Sequence, residues 1–217
     1  LGLALESLSP ARARTVRVAE LVLTLLHGAA GLAEDAPGFG DPFDLVHAAE
    51  HLAGVAVVDD AVPPHLPHVA PARPVADPWD APRGLRDEIS GRAIDLGRDG
   101  VVVALGVQRL SSAEEAVRAA RVRDDVTVVL VTDDPDETGR LARLRVVDLV
   151  GCLRRVFRPG DLPRIRVVLD DRTLAQALGL DEVDDHTEIA IRVRGGTVVA
   201  RAEGYGAGHA AAAATAF

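Results

Sequence analysis

Apolar residues in this chain follow two patterns, separated by a proline-rich stretch. Before the stretch the spacing is helical. Ser9-Pro10 opens a segment in which Leu21, Val22, Leu25 and Leu26 share one stripe, predicting a helix to about Ala33. The turn cluster 36–42 (Ala-Pro-Gly-Phe-Gly-Asp-Pro) ends it, and a second helix is predicted from Phe43 to about Gly54. A short apolar run, Val55 to Val58, closes on Asp59-Asp60. Residues 61–84 carry prolines at 63, 64, 67, 71, 74, 78 and 82, too many for a helix or a central strand. They read as an extended connector.

Beyond the connector, strand and helix signals alternate. Ala93–Leu96 predicts a short strand, and Gly100–Val107 a nearly continuous apolar one. Ser111-Ser112-Ala113-Glu114 predicts a helix start, with serine at the cap and acids in the first turn. Val126–Val131 is a second buried strand, followed by a helix from Asp134 to about Leu144 and an ambiguous, more helical stretch to Phe157. Ile165–Leu169 predicts a third strand and Thr173–Leu178 a short helix. Glu188–Val193 and Thr197–Ala202 alternate about Gly195-Gly196 as a β-hairpin. His209–Phe217, mostly alanine, reads as a frayed helix or a tail. Strands joined through a helix imply a parallel pair with a right-handed crossover. The expected fold is therefore α/β, a mixed sheet with flanking helices, preceded by a helical N-terminal region. The expected divisions are 1–60, a connector at 61–89, an α/β domain at 90–205 and a tail at 206–217.

Composition narrows the function. The 217 residues carry 24 basic and 33 acidic side chains, a net charge of -9, which opposes nucleic-acid binding through a broad basic face. Every basic residue is arginine, and lysine, asparagine and methionine are absent, a pattern of high-GC bacterial coding that makes arginine abundance uninformative. One cysteine excludes an internal disulfide. The apolar run Val18–Ala33, interrupted by Glu20 and His27, falls short of the roughly 20 residues that cross a bilayer, so no membrane span is expected. Arg12, Arg14 and Arg17 before this run, with Ala-Gly-Leu-Ala at 30–33 after it, also have the order of a signal peptide. The charge inside the run favours an amphipathic helix. A cytoplasmic protein is expected, with an exported form as the other reading.

Several motifs together resemble the thioredoxin superfamily, of the TlpA and peroxiredoxin kind. Ser90-Gly-Arg-Ala-Ile-Asp-Leu96 resembles that family's opening hairpin, and Val101–Val107 the strand leading to its active site. Val126–Asp134 is similar to its next strand, and Val167–Gly179 to its strand, aspartate and short helix. Thr187–Arg201 is similar to its closing hairpin. The resemblance covers a little over half the chain. Where it implies a Cys-x-x-Cys motif, this chain has Gln108-Arg-Leu-Ser-Ser112, and His186 stands in place of the proline before Thr187. Disulfide exchange needs a reactive thiolate and a second sulfur, so that chemistry is absent. The resemblance then implies a docking face around Gln108, Ser111, Ser112, His186 and Thr187, in a pseudoenzyme serving as a binding or assembly module for another protein subunit. It implies no catalytic residue and no cofactor.

Other constellations compete. Asp59-Asp60, the strand end near Ala104, Thr132 and Arg155 resemble a response-regulator receiver, with Ala104 in the phosphoacceptor's place and Arg155 in the lysine's. That would be an interaction domain working without phosphorylation. His47-Ala-Ala-Glu50-His51 matches H-x-x-E-H: on a helix, His47 and His51 lie one turn apart and could bind zinc, with Glu50 as general base of a hydrolase. His65 and His68 could complete such a site. Asp133–Gly139 resembles an acidic phosphoribosyltransferase loop, against which stands simple complementarity to a helix dipole. Cys152, beside Arg154 and Arg155, reads as a small buried hydrophobe. Gly204-Tyr-Gly-Ala-Gly208 reads as a flexible exit.

Overall fold

The run Gly100-Val-Val-Val-Ala-Leu-Gly106 forms strand β2, every residue of which is buried. In a computed structural model describing residues 1–8, 14–38, 40–57, 62–158, 165–169 and 173–215, it lies at the centre of one six-stranded sheet. The other strands are β1 (Arg73–Pro78), β3 (Asp125–Val131), β4 (Ile165–Leu169), β5 (Glu188–Arg194) and β6 (Thr197–Glu203). Their order is β1-β6-β5-β2-β3-β4. β2, β3 and β4 run parallel, with Val101 opposite Val126 and Val128 opposite Val167. β5 is antiparallel to β2, β6 to β5, and β1 to β6. The sheet is mixed, unlike the all-parallel doubly wound sheet of a receiver.

Period-two alternation distributes the apolar side chains between two layers. Val102, Ala104, Val129, Ile189 and Ile191 pack on one face with Leu174 and Leu178 of helix α6 (Thr173–Ala177) and the turn after it. Val101, Val103, Leu105, Val128 and Ala190 pack on the other. This second face is covered by α4 (Ser112–Ala119) and α7 (Ala207–Ala213). The expected tail is thus a core element: five of the seven residues of α7 are buried. Small size explains it. A Cβ on Gly208 would lie 3.1 Å from Ala116 Cβ and 3.3 Å from Val103 Cγ1, so the helix approaches closer than larger side chains permit.

The proline-rich connector differs from expectation in the same direction. It contains a 3₁₀ turn, Leu66–His68, and then β1, an edge strand in which Pro74 and Pro78 interrupt no inner ladder. At the far edge, Glu88 N donates to Val167 O at 2.8 Å, and buried Asp87 accepts from Val167 N at 3.0 Å. Ala93 makes only an isolated bridge to Arg86, in place of the expected strand. The two helical signals after β3 merge into one helix, α5 (Thr138–Val156).

These elements, α5 as far as Arg154, belong to a compact unit of Pro63–Arg154 with Arg164–Phe217. A second unit, Leu1–Val62 with Arg155–Pro163, holds α1 (Gly2–Leu8), α2 (Val16–Asp35) and α3 (Pro42–Ala53). Thr15 donates through Oγ1 to Gly2 O and through its amide to Glu6 Oε1, both at 2.9 Å, tying α1 to the start of α2. Asp41 caps α3 by accepting from Phe43 N at 2.8 Å. The structure lengthens the expected apolar run: α2 has 20 residues, an 18-residue window of which has a mean hydropathy of 1.5, long and apolar enough to span a bilayer, and it buries only Ala19.

Candidate functional site

The site is built where β2 ends. Gly106 is required there, because a Cβ would lie 2.3 Å from the carbonyl carbon and oxygen of Asp185. That close approach lets the turn Asp184–Thr187 sit on the strand end. Gly106 N donates to Thr187 O at 2.8 Å, and Gln108 N to Asp185 O at 2.9 Å. The turn is internally braced. Asp184 Oδ1 accepts from Thr187 Oγ1 at 3.0 Å and from His186 N at 2.9 Å. These bonds, Thr187's first, hold its carboxyl below the usual carboxylate range. Thr132, just past β3, donates through Oγ1 to Asp185 Oδ1 at 3.2 Å.

The expected face residues divide in two. Gln108, Ser111 and His186 are exposed and Thr187 is half-buried, with Gln108 against the 184–187 turn. Leu110, among them, leaves 46% of its surface exposed. Ser112 instead points inward. Its Oγ donates at 3.1 Å to Glu188 Oε2, a carboxylate only 1% exposed. Arg109 Nη2 donates to the same oxygen at 2.7 Å, and Gly208 N reaches Glu188 Oε1 at 3.4 Å. Ser111 holds the cap position of α4 without a side-chain cap bond.

Arg109 leads outward to groups that local sequence patterns do not reveal. Its guanidinium carbon lies 4.1 Å from the centre of the Tyr205 ring. Tyr205 Oη is 3.1 Å from His65 Nδ1, and His65 Nε2 is 3.1 Å from Glu115 Oε1. Both imidazole nitrogens are therefore engaged, leaving His65 no free lone pair to complete a metal site. Beside this chain lies a cleft of about 250 Å³ lined by His65, His68, Val69, Ala202, Tyr205 and Ala207. A second, of about 290 Å³, lies among Leu66, Pro71, Val199, His209 and Ala213.

The remaining candidates gather no further groups. His47, Glu50 and His51 stand exposed on α3, and among the described residues no three His, Cys, Asp or Glu side chains are placed to hold a metal. Asp59 and Asp60 lie outside the described residues. Ala104 is fully buried within β2, and Arg155 lies in the last turn of α5. In the acidic loop, Asp134 accepts from Glu137 N at 3.1 Å and Thr138 N at 3.2 Å. These bonds lower its pKa and account for the motif as a helix start. Cys152 is exposed, not the buried hydrophobe expected: it falls on the outward stripe of α5, while Val150 and Leu153 face inward. The glycine-rich exit is a tight turn. Gly206 has φ +83°, and a Cβ there would lie 2.3 Å from Val69 Cγ2. Compared with known proteins, the chain matches no family model and no curated protein.

Proposed function

We propose that the sheet-bearing unit is a thioredoxin-like domain without dithiol chemistry that docks another protein subunit at the carboxyl ends of β2 and β3. One observation carries this reading: the turn Asp184–Thr187 lies against Gly106 and Gln108, so two segments separate in sequence share one exposed edge. The strand order supports it as well. β2-α4-β3, then β4-α6 and the antiparallel β5–β6 hairpin, follow the order the family resemblance implies.

At the place of the redox motif, Arg109 is committed to a buried carboxylate and Ser112 to the same oxygen. Such an arrangement stiffens the loop and offers no thiolate. What it displays is Gln108, Leu110, Ser111 and His186, an apolar anchor amid hydrogen-bonding groups, which suits a protein surface better than a small polar substrate. Two substitutions test the reading on the protein that copurifies with the full chain. Leu110→Arg and His186→Glu, each exposed and each expected to fold as the parent, should release that partner. Retention of the partner by both variants contradicts the docking face.

A further inference from the structure

We propose that Glu115, His65 and Tyr205 form a carboxylate–imidazole–phenol triad in which Tyr205 Oη is a nucleophile toward short activated acyl groups. This inference does not rest on the docking reading. Its separations are those of an activated nucleophile, with the nucleophile within hydrogen-bond reach of a base and the base oriented by a third group. Here those separations are 3.1 Å from Tyr205 Oη to His65 Nδ1 and 3.1 Å from His65 Nε2 to Glu115 Oε1. The two rings pack tilted at 55° with centroids 4.1 Å apart, so the phenol swings toward the imidazole plane as it gives up its proton. With Nε2–H donated to Glu115, Nδ1 is left as the acceptor for the phenolic proton.

Each member is held from a different element. His65 follows Pro63-Pro64 in a turn closed by Leu66 N to Pro63 O at 3.0 Å and His68 N to His65 O at 2.9 Å. Glu115 lies in the first turn of α4, and Tyr205 sits in the turn between β6 and α7. The His65 and Glu115 side chains are 21% and 14% exposed, so the base and its orienter are largely shielded, while Tyr205 is 55% exposed and open to a substrate. Arg109, held in place by Glu188, sets a positive charge 4.1 Å from the ring that becomes negative when the proton leaves. The adjoining cleft, about 250 Å³, is walled by Val69, Ala70, Ala202 and Ala207 with His68 and Glu203 on its polar side, and has room for a short acyl chain.

In the step, Tyr205 Oη forms a bond to the acyl carbon as its proton passes to His65 Nδ1. The bond from that carbon to the leaving group breaks, and the leaving group departs with the electron pair. The imidazolium, facing Glu115, returns the proton to the leaving group, and water later hydrolyses the aryl ester.

Tyr205 is the chain's one tyrosine, so acetylation of a phenol reports on this position alone and is distinguished by peptide mass from acetylation at the exposed Cys152. Native full-length protein is treated with N-acetylimidazole, and O-acetylation at Tyr205 is timed by peptide mass spectrometry against N-acetyltyrosine amide. The expected rate is at least about a hundredfold that of the free derivative, the low end of what a positioned base supplies. It should fall by the same factor in His65→Gln and, independently, in Glu115→Gln, and stay unchanged in His47→Gln, an exposed histidine of α3 outside the triad and its cleft. A rate equal to the free derivative's, or one indifferent to whichever of the two triad variants retains a native circular dichroism spectrum, would overturn the proposal.

Discussion

Strand β5 carries two buried charges on one face, and they serve opposite ends of the sheet. Glu188, Ala190 and Arg192 alternate toward α4 and α7, while Ile189, Ile191 and Val193 enter the other core. At one end Arg192 is 1% exposed and its partner Asp124 8%. Besides Asp124, Arg192 Nη1 serves Ala212 O at 2.6 Å and Ala211 O at 3.3 Å, closing the carboxyl end of α7. Burial lowers the guanidinium pKa, and the Asp124 charge opposes that. At the other end Glu188 is equally dry, but Arg109 is 19% exposed and touches the half-exposed Tyr205. A sealed pair can only hold the fold together. A pair that opens outward through its arginine can also pass structure to a surface.

The largest effect should come from breaking the sealed pair. Asp124→Ala leaves the Arg192 charge buried without its partner and should cost about 3–5 kcal/mol in urea unfolding. Pairing it with Arg192→Met should recover much of that loss, as removal of both charges does in other buried pairs. Gly106→Ala comes next. Its methyl group meets backbone that cannot rotate away, so about 3 kcal/mol should be lost, together with partner docking. Glu188→Gln keeps the shape and loses charged hydrogen bonds, at about 2 kcal/mol. It should stay below the Asp124→Ala cost, because Arg109 reaches water; an equal or greater cost would erase the contrast between the two ends.

Two smaller effects sharpen it. Tyr205→Phe should change stability by less than about 0.5 kcal/mol, the ordinary surface value. It should nevertheless abolish acetylation at that site. Asp184 titrates lower in the folded chain than its ordinary value of 3.8, so its contribution is present above that pH. The contribution is lost as pH falls through the folded pKa, and Asp184→Asn should remove this component of acid unfolding. Acid denaturation curves identical in slope and midpoint below pH 3.8 would contradict the bracing of the turn.

What was legible in the sequence was whatever a local period could carry. β2 was expected at 100–107 and occupies Gly100–Gly106, and the hairpin about Gly195-Gly196 stands as read. Alanine hid α7, because its small side chains gain burial from close approach and show no apolar stripe. The alternation Glu-Ile-Ala-Ile-Arg identifies β5 as a hairpin strand, but nothing local says that a helix covers its charged face. In the β2-end region the sequence points to Gln108, Ser111, Ser112, His186 and Thr187, and the backbone brings Gln108 to the 184–187 turn. Glu188 reads locally only as the start of a strand, Arg109 and Tyr205 only as parts of loops, and Glu115 as one of the acids of a helix start. Arg109 and Glu188 are 79 residues apart and Tyr205 and His65 140, distances over which no spacing rule operates.

Hydrogen exchange on the full chain, alone and with the protein subunit proposed to dock on it, tests the central claim most directly. The account predicts slowed exchange at 108–112 and 184–187 in the complex, with no change around Asp124, Arg192 and Ala211 at the sealed end. A stable complex that leaves 108–112 and 184–187 exchanging at their free rates would contradict it.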